Sequence, residues 1–117
     1  MLLTTFILFA VTALLGVSMV GIRETSGHNP PAWLTMTHGL PAAAGLTLLL
    51  YATFAFGVSR LAIVALILFV VAAGGGTVLN LAYQQRALSL PRWLMYLHML
   101  LAVAGFILLG VDVFAFA

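Results

Sequence analysis

Cysteine and lysine are both absent from these 117 residues, and charge of either sign is scarce. Without cysteine the chain forms no disulfide, ligates no iron–sulfur cluster and has no thiolate for zinc or for catalysis. Charged residues make up 5% of the chain, whereas a soluble domain carries about 25%. The four arginines do not cluster, so the basic balance does not indicate a nucleic-acid-binding protein.

Hydrophobic residues make up 65% of the chain, and the mean hydropathy is +1.28. Such a chain cannot cover a surface that faces water, so the sequence predicts an integral membrane protein. Four apolar stretches predict four transmembrane helices, at about residues 2–22, 33–58, 61–83 and 93–116. The first lacks a preceding basic region and is too long for a signal peptide, so we interpret it as a retained helix. The expected fold is one all-α four-helix transmembrane domain spanning residues 1–117.

The two halves of the chain resemble each other at a constant offset of 60. Residues 31–49 (PAWLTMTHGLPAAAGLTLL) and 91–109 (PRWLMYLHMLLAVAGFILL) share proline, Trp-Leu, histidine and Ala-Gly at equivalent places. Residues 7–9 and 54–56 also recur 60 positions later. We therefore predict two tandem two-helix repeats, 1–57 and 61–117. Because each repeat crosses twice, the copies have the same orientation and are related by a pseudo-two-fold axis along the membrane normal.

The positions of the arginines predict the orientation. Three of the four lie on the side of the two long loops, namely Arg23, Arg86 and Arg92, and the fourth lies with both termini. Positive charge marks the cytoplasmic side, so we expect cytoplasmic long loops and both termini on the opposite side. Trp33 and Trp93 are then interfacial anchors on the cytoplasmic side.

Two histidines lie inside the predicted spans at equivalent positions of the repeats. His38 and His98 each follow the anchoring tryptophan by five residues, which is about 7–8 Å along a helix. An ionisable residue at that depth is rare and is a functional candidate. Two imidazoles at one depth on parallel helices can ligate the iron of a haem b from its two faces. The alternative is that each histidine only forms a hydrogen bond between helices.

Small and basic residues near the histidines fit a porphyrin. Gly16 and Gly76 lie at a similar depth on the first and third spans, where Gly74 and Gly75 add further space. Two more glycines follow the histidines by seven residues, nearly on the same helix face. Arginines at the cytoplasmic interface can pair with haem propionates. Besides the iron ligands His38 and His98, the predicted haem-binding residues are Gly16, Gly76, Gly45, Gly105, Arg23, Arg86 and Arg92.

This arrangement resembles the four-helix b-type cytochromes of energy-transducing membranes, such as the cytochrome b of quinol-oxidising bc complexes and the small dihaem cytochromes b. The resemblance lies in His38 on the second helix, His98 on the fourth, and glycines on the first and third. It implies an electron-transfer subunit with haem b, located in a bacterial inner membrane. Those cytochromes usually carry two histidine pairs and two haems, whereas this chain has one pair. One haem does not span about 30 Å of hydrocarbon, so electrons would pass to a partner or enter and leave on one side.

Three further residues have open roles. His28 lies in the polar loop, where solvation is the first interpretation, and a surface metal or quinone contact is the other. Asp112 is the one acidic residue within a predicted span, where it either relays protons, binds a cation or quinone, or is hydrated near the outer interface. Asn80 is expected to hydrogen-bond a neighbouring helix, a propionate or a quinone carbonyl.

The leading prediction is a membrane b-type cytochrome with one haem b, exchanging electrons with quinone or a partner redox subunit. The sequence has no nucleophile paired with a base, no paired carboxylates and no phosphate-binding loop, so a stand-alone enzyme is not expected. The second hypothesis is a cofactor-free scaffold subunit of a larger membrane complex. A small four-span transporter is a third, although the first span lacks an ionisable residue. Lipid surrounds the chain in every case, and a larger redox complex or a homodimer is a candidate assembly.

Overall fold

The computed structural model describes residues 1–116, which form four long helices joined by short connections. The α-helices are α1 (Leu2–Ser26), α2 (Ala32–Phe56), α3 (Arg60–Val78) and α4 (Arg92–Ala115), and a π-helical segment (Leu79–Gln84) continues α3. Each helix, with α3 and the π-segment taken together, is long and apolar enough to cross a membrane. The predicted all-α fold with four helices long and apolar enough to span a membrane is therefore confirmed. The second predicted repeat ends at residue 117, which lies outside the described residues.

The helices pack as two hairpins. The most extensive contacts are those of α1 with α2 and of α3 with α4, while smaller contacts of α1 with α4 and of α2 with α3 join the hairpins. This order places α2 and α4, which carry the two histidines, at opposite corners of the bundle. We call the end with residues 27–31 and 85–91 the loop end, and the other the termini end.

The first helix is longer than predicted. It continues past residue 22 to Ser26 and ends at Gly27, whose φ of 72° lies in the left-handed region and whose N–H donates to the Arg23 carbonyl. The hydroxyls of Thr25 and Ser26 donate to carbonyls one turn earlier. These polar residues are therefore compatible with the helix, and glycine, which adopts positive φ without steric cost, ends it.

The π-segment was not predicted. The equivalent residues of the first half, 19–24, are α-helical, so the two halves differ at this point. An extra residue per turn widens the helix locally, and such segments are frequent at functional sites.

The centre of the bundle is a stack of two aromatic rings. The rings of Phe9 on α1 and Phe69 on α3 lie 3.9 Å apart at an interplanar angle of 7°. Leu49 and Leu109, which are fully buried, belong to the same cluster. The two phenylalanines, like the two leucines, are 60 residues apart, which is the offset at which the sequence of the two halves matches.

Candidate functional site

His38 lies two turns into α2 and contacts the backbone of α1. Its Nδ1 atom is 2.9 Å from the carbonyl oxygen of Thr12, and its ring is half-buried. His98 on α4 makes the equivalent contact in the other hairpin, because its Nδ1 atom is 2.6 Å from the carbonyl oxygen of Ala72 on α3. Each histidine thus joins the two helices of its own hairpin, and each acceptor precedes its histidine by 26 residues.

These contacts determine which ring nitrogen carries the proton. A carbonyl oxygen only accepts hydrogen bonds, so Nδ1 is the donor in both rings. In the neutral imidazole the Nε2 atom then has a free lone pair, which is the form in which histidine binds a metal. The two ring centroids are 6.3 Å apart, at an interplanar angle of 70°. The structure therefore brings the two predicted ligands together.

Gly16 and Gly76 lie directly against these imidazoles. A Cβ atom at Gly16 would be 3.0 Å from Cε1 of His38, and one at Gly76 would be 3.0 Å from Cε1 of His98. A helical side chain covers the turn before its own Cα, which here contains the carbonyls of Thr12 and Ala72. The absence of a side chain at each glycine lets a ring reach the carbonyl four residues earlier. Gly75 is near His98 too, whereas Gly74 faces open space.

Gly45 and Gly105 are buried one layer further from the loop end. A Cβ atom at Gly45 would be 3.2 Å from the ring of Phe9, and one at Gly105 would be 3.3 Å from the ring of Phe69. Both glycines therefore contact the stacked phenylalanines. The stack separates the histidine layer from the termini end.

The three predicted arginines have different surroundings. Arg92 forms a bidentate ion pair with Glu24 at the surface, with N–O distances of 2.8 Å and 3.1 Å. Arg23 donates from its terminal nitrogen to Ser89 and Leu90, while its Nε atom is buried without a partner among residues 1–116. Arg86 is exposed.

Side chains connect the two long connections at the loop end. The amide of Asn29 donates to the Leu88 carbonyl and accepts from the Leu90 N–H. The amide of Gln84 donates to the Pro30 carbonyl. We call these contacts, with Arg23–Ser89 and Glu24–Arg92, the loop clasp. His28 is exposed beside it, as expected.

Asp112 lies near the termini end and is 7% exposed, so the hydrated alternative does not hold within the described chain. Its carboxylate accepts a hydrogen bond from the hydroxyl of Ser59, and that hydroxyl accepts from the N–H of Ala62. Asp112 therefore supports the capping residue of α3.

Sequence reasoning missed two kinds of residue. The carbonyls of Thr12 and Ala72 carry no side-chain signal, although on each helix a glycine lies four residues later. Phe9 and Phe69 match at the offset of 60, but the sequence does not indicate that their rings stack.

Comparisons with known protein families, with curated proteins and with solved structures gave no match to this chain.

Proposed function

We propose that this chain is a membrane b-type cytochrome that holds one haem b between His38 and His98. The observation that carries the proposal is the paired geometry of the two rings. Each is held through Nδ1 by a backbone carbonyl, which leaves both Nε2 lone pairs for a metal.

The separation of the rings supports one shared ion. An imidazole nitrogen binds a metal at about 2.0–2.1 Å and lies about 1.1 Å from the ring centroid, so two opposed imidazoles on one ion have centroids about 6.2–6.4 Å apart. The separation between His38 and His98 is 6.3 Å.

The number of ligands favours haem over a bare ion. Among residues 1–116 no group of three or more histidine, cysteine or acidic side chains is placed to hold a metal. Protein sites for a bare transition metal use three or four such ligands. A porphyrin supplies four nitrogens itself and needs only two axial ligands.

The surroundings of the two rings are apolar. Gly16 and Gly76 let the imidazoles pack against α1 and α3, and the stacked phenylalanines lie on the side of the termini end. The buried Nε atom of Arg23 has no acceptor among the described residues, and a haem propionate at the loop end would supply one. Arg92, by contrast, already pairs with Glu24.

When bound, haem b supplies a one-electron couple between ferric and ferrous iron. The chain orients the iron ligands, and it keeps them near the loop end. Both histidines lie six residues from the start of their helices, which is about 9 Å. We therefore propose that electrons enter and leave at the loop end, to or from quinone or a partner redox subunit.

We further propose that the chain is a tandem duplication with a pseudo-two-fold axis between the histidines. The pairs that support it are His38 and His98, Gly16 and Gly76, Gly45 and Gly105, Phe9 and Phe69, and Leu49 and Leu109.

The test is a dithionite-reduced minus oxidised absorption spectrum of the purified, haem-supplied chain and of its His38→Ala and His98→Ala variants. A b-type spectrum that both variants lose supports the proposal. A folded wild-type chain with a flat spectrum would refute it.

A cofactor-free scaffold subunit is the second candidate. The hydrogen bonds of His38 to α1 and of His98 to α3 already suffice for a packing role. That candidate requires a colourless protein whose histidine variants still assemble with their partner complex.

A further inference from the structure

The Nε2 atoms of the two histidines point toward the loop end. A Cβ atom at Gly16 would be 3.0 Å from Cε1 of His38, 3.4 Å from Nδ1 and 4.0 Å from Nε2, so Nε2 is turned away from α1. Thr12, whose carbonyl accepts from Nδ1, lies one turn nearer the termini end than Gly16. Because Nδ1 and Nε2 lie on either side of Cε1 in the ring, Nε2 is directed toward the loop end. His98 has the same orientation against α3.

A methionine lies on the side toward which Nε2 of His38 points. Thr12, Gly16 and Met19 follow one another at spacings of four and three residues, along one face of α1. A helical side chain extends over the turn before its own Cα, so Met19 extends back toward Gly16 and the ring that packs on it. Met19 is half-buried, whereas the second half has the buried Leu79 at the equivalent position. The first half therefore supplies a thioether where the second supplies hydrocarbon.

Two imidazole nitrogens and a thioether sulfur are donors that suit Cu(I). Imidazole binds copper, and thioether sulfur selects its monovalent state, whereas Zn²⁺ sites use imidazole, thiolate and carboxylate. Among residues 1–116, histidine, cysteine and acidic side chains form no group of three around the two rings. The Met19 thioether brings the set to the three ligands that a bare ion requires.

The charge of the site favours a monovalent ion. The chain has two acidic residues, and they pair elsewhere, Glu24 with Arg92 at the surface and Asp112 with Ser59 near the termini end. Among residues 1–116, therefore, no carboxylate balances a cation held by the two rings. The cost of burying an ion in an apolar medium rises with the square of its charge, so a monovalent ion costs about a quarter of what a divalent ion costs.

We propose that His38, His98 and Met19 form a binding site for one Cu(I) ion, with Nε2 of both imidazoles and the Met19 sulfur as ligands. Both Nε2 atoms are unprotonated, so binding forms metal–ligand bonds without releasing a proton and without a change of oxidation state. The site goes beyond the proposed function and does not depend on it. Because it shares the two histidines with haem b, one chain holds either Cu(I) or the haem.

The test is an anaerobic titration of the chain, prepared without haem in detergent, with Cu(I) in competition with the coloured Cu(I) complex of bicinchoninate. We expect one Cu(I) per chain. His38→Asn and His98→Asn should each weaken binding at least about a hundredfold, because asparagine still donates to the same carbonyl but lacks Nε2. His28→Asn, in the exposed loop, is the control and should bind like the wild type.

Met19→Leu tests the sulfur ligand. Leucine conserves the volume of the side chain, and the second half already has Leu79 at the equivalent position. We expect Cu(I) binding to weaken at least about tenfold. Met36→Leu is the matched control, because Met36 is 67% exposed. X-ray absorption at the copper edge should show two imidazoles and one sulfur in the wild type, and imidazoles alone in Met19→Leu.

Wild-type affinity in either asparagine variant would overturn the proposal, as would equal affinity in Met19→Leu and Met36→Leu. Displacement of Cu(I) by an equal concentration of Zn²⁺ would overturn it too. A chain that binds Cu(I) but gives a flat spectrum when haem is supplied would refute the haem and leave the copper site standing. A b-type spectrum without uptake of Cu(I) would do the reverse.

Discussion

His38 and His98 lie with their ring centroids 6.3 Å apart, and each is held by a carbonyl of the helix beside it. The two rings are therefore oriented by the scaffold and do not depend on each other for their position. Removing one should leave the other in place, with a cavity the size of an imidazole opposite it. Variants that lack one histidine can therefore distinguish a role in binding iron from a role in packing.

We expect exogenous imidazole to restore the b-type spectrum of haem-loaded His38→Ala and of His98→Ala, because the added ring fills the vacated cavity and ligates the iron. His28→Ala is the control, since His28 is exposed in the loop, and it should keep the wild-type spectrum throughout. The measurement is the reduced spectrum during an imidazole titration. If imidazole restores neither variant, the histidines are not axial ligands.

Adding one methyl group at Gly16 should displace the ring of His38. Gly16→Ala places a Cβ atom 3.0 Å from Cε1 of a ring that is held by Thr12, and such overpacking costs about 1–3 kcal/mol. Gly76→Ala should behave alike. Gly21→Ala is the control, because its Cβ meets open space, and alanine favours a helix over glycine. The midpoint temperature of thermal unfolding in detergent and the haem content should both be lower in Gly16→Ala and Gly76→Ala than in the wild type. Equal values for all three would contradict the close contact.

Residue types and their spacing predicted the helices and the pairing of the histidines with the glycines. The 60-residue offset is visible in the sequence alone. The carbonyl acceptors were not predictable, because every residue has a carbonyl and only packing selects Thr12 and Ala72. The π-segment likewise has no residue-type signature, since the equivalent α-helical residues 19–24 are as apolar on average. The partners of Arg92 and Arg23 belong to the loop clasp, where the two halves carry different residue types at equivalent positions, such as Glu24 and Gln84 or Asn29 and Ser89.

Phe9 and Phe69 should be energetically coupled. Each ring stacks on the other at the centre of the bundle, so Phe9→Ala and Phe69→Ala should each lower the free energy of unfolding by about 3–5 kcal/mol. The double variant should be less destabilised than the sum, by about 0.5–1.5 kcal/mol. Phe54→Ala is the control, because Phe54 is 83% exposed. Unfolding in a mild denaturant would measure all four, and strict additivity would argue against the stack.

Arg23→Gln should weaken haem binding and lower the haem reduction potential. Loss of a positive charge near the iron stabilises the ferric form, and loss of the buried Nε–H removes the proposed partner of a propionate. Arg60→Gln, at the termini end, has the same change of charge and should leave the potential unchanged. Redox titration of both variants provides the measurement. A shift of equal size in the two would mean that the charge acts at long range and that Arg23 does not contact the haem.

The loop clasp should protect the second connection from proteolysis. Asn29 is its central residue because one amide satisfies both the Leu88 carbonyl and the Leu90 N–H. Asn29→Ala leaves these two backbone groups without their partner, so we expect trypsin to cleave after the exposed Arg86 at least about tenfold faster, as the loss of one or two hydrogen bonds implies. His28→Ala changes a neighbouring exposed side chain and should cleave at the wild-type rate. The measurement is the cleavage rate at Arg86, followed by mass spectrometry in detergent. The same rate in all three proteins would mean that the second connection is held by its own backbone turns and does not depend on the clasp.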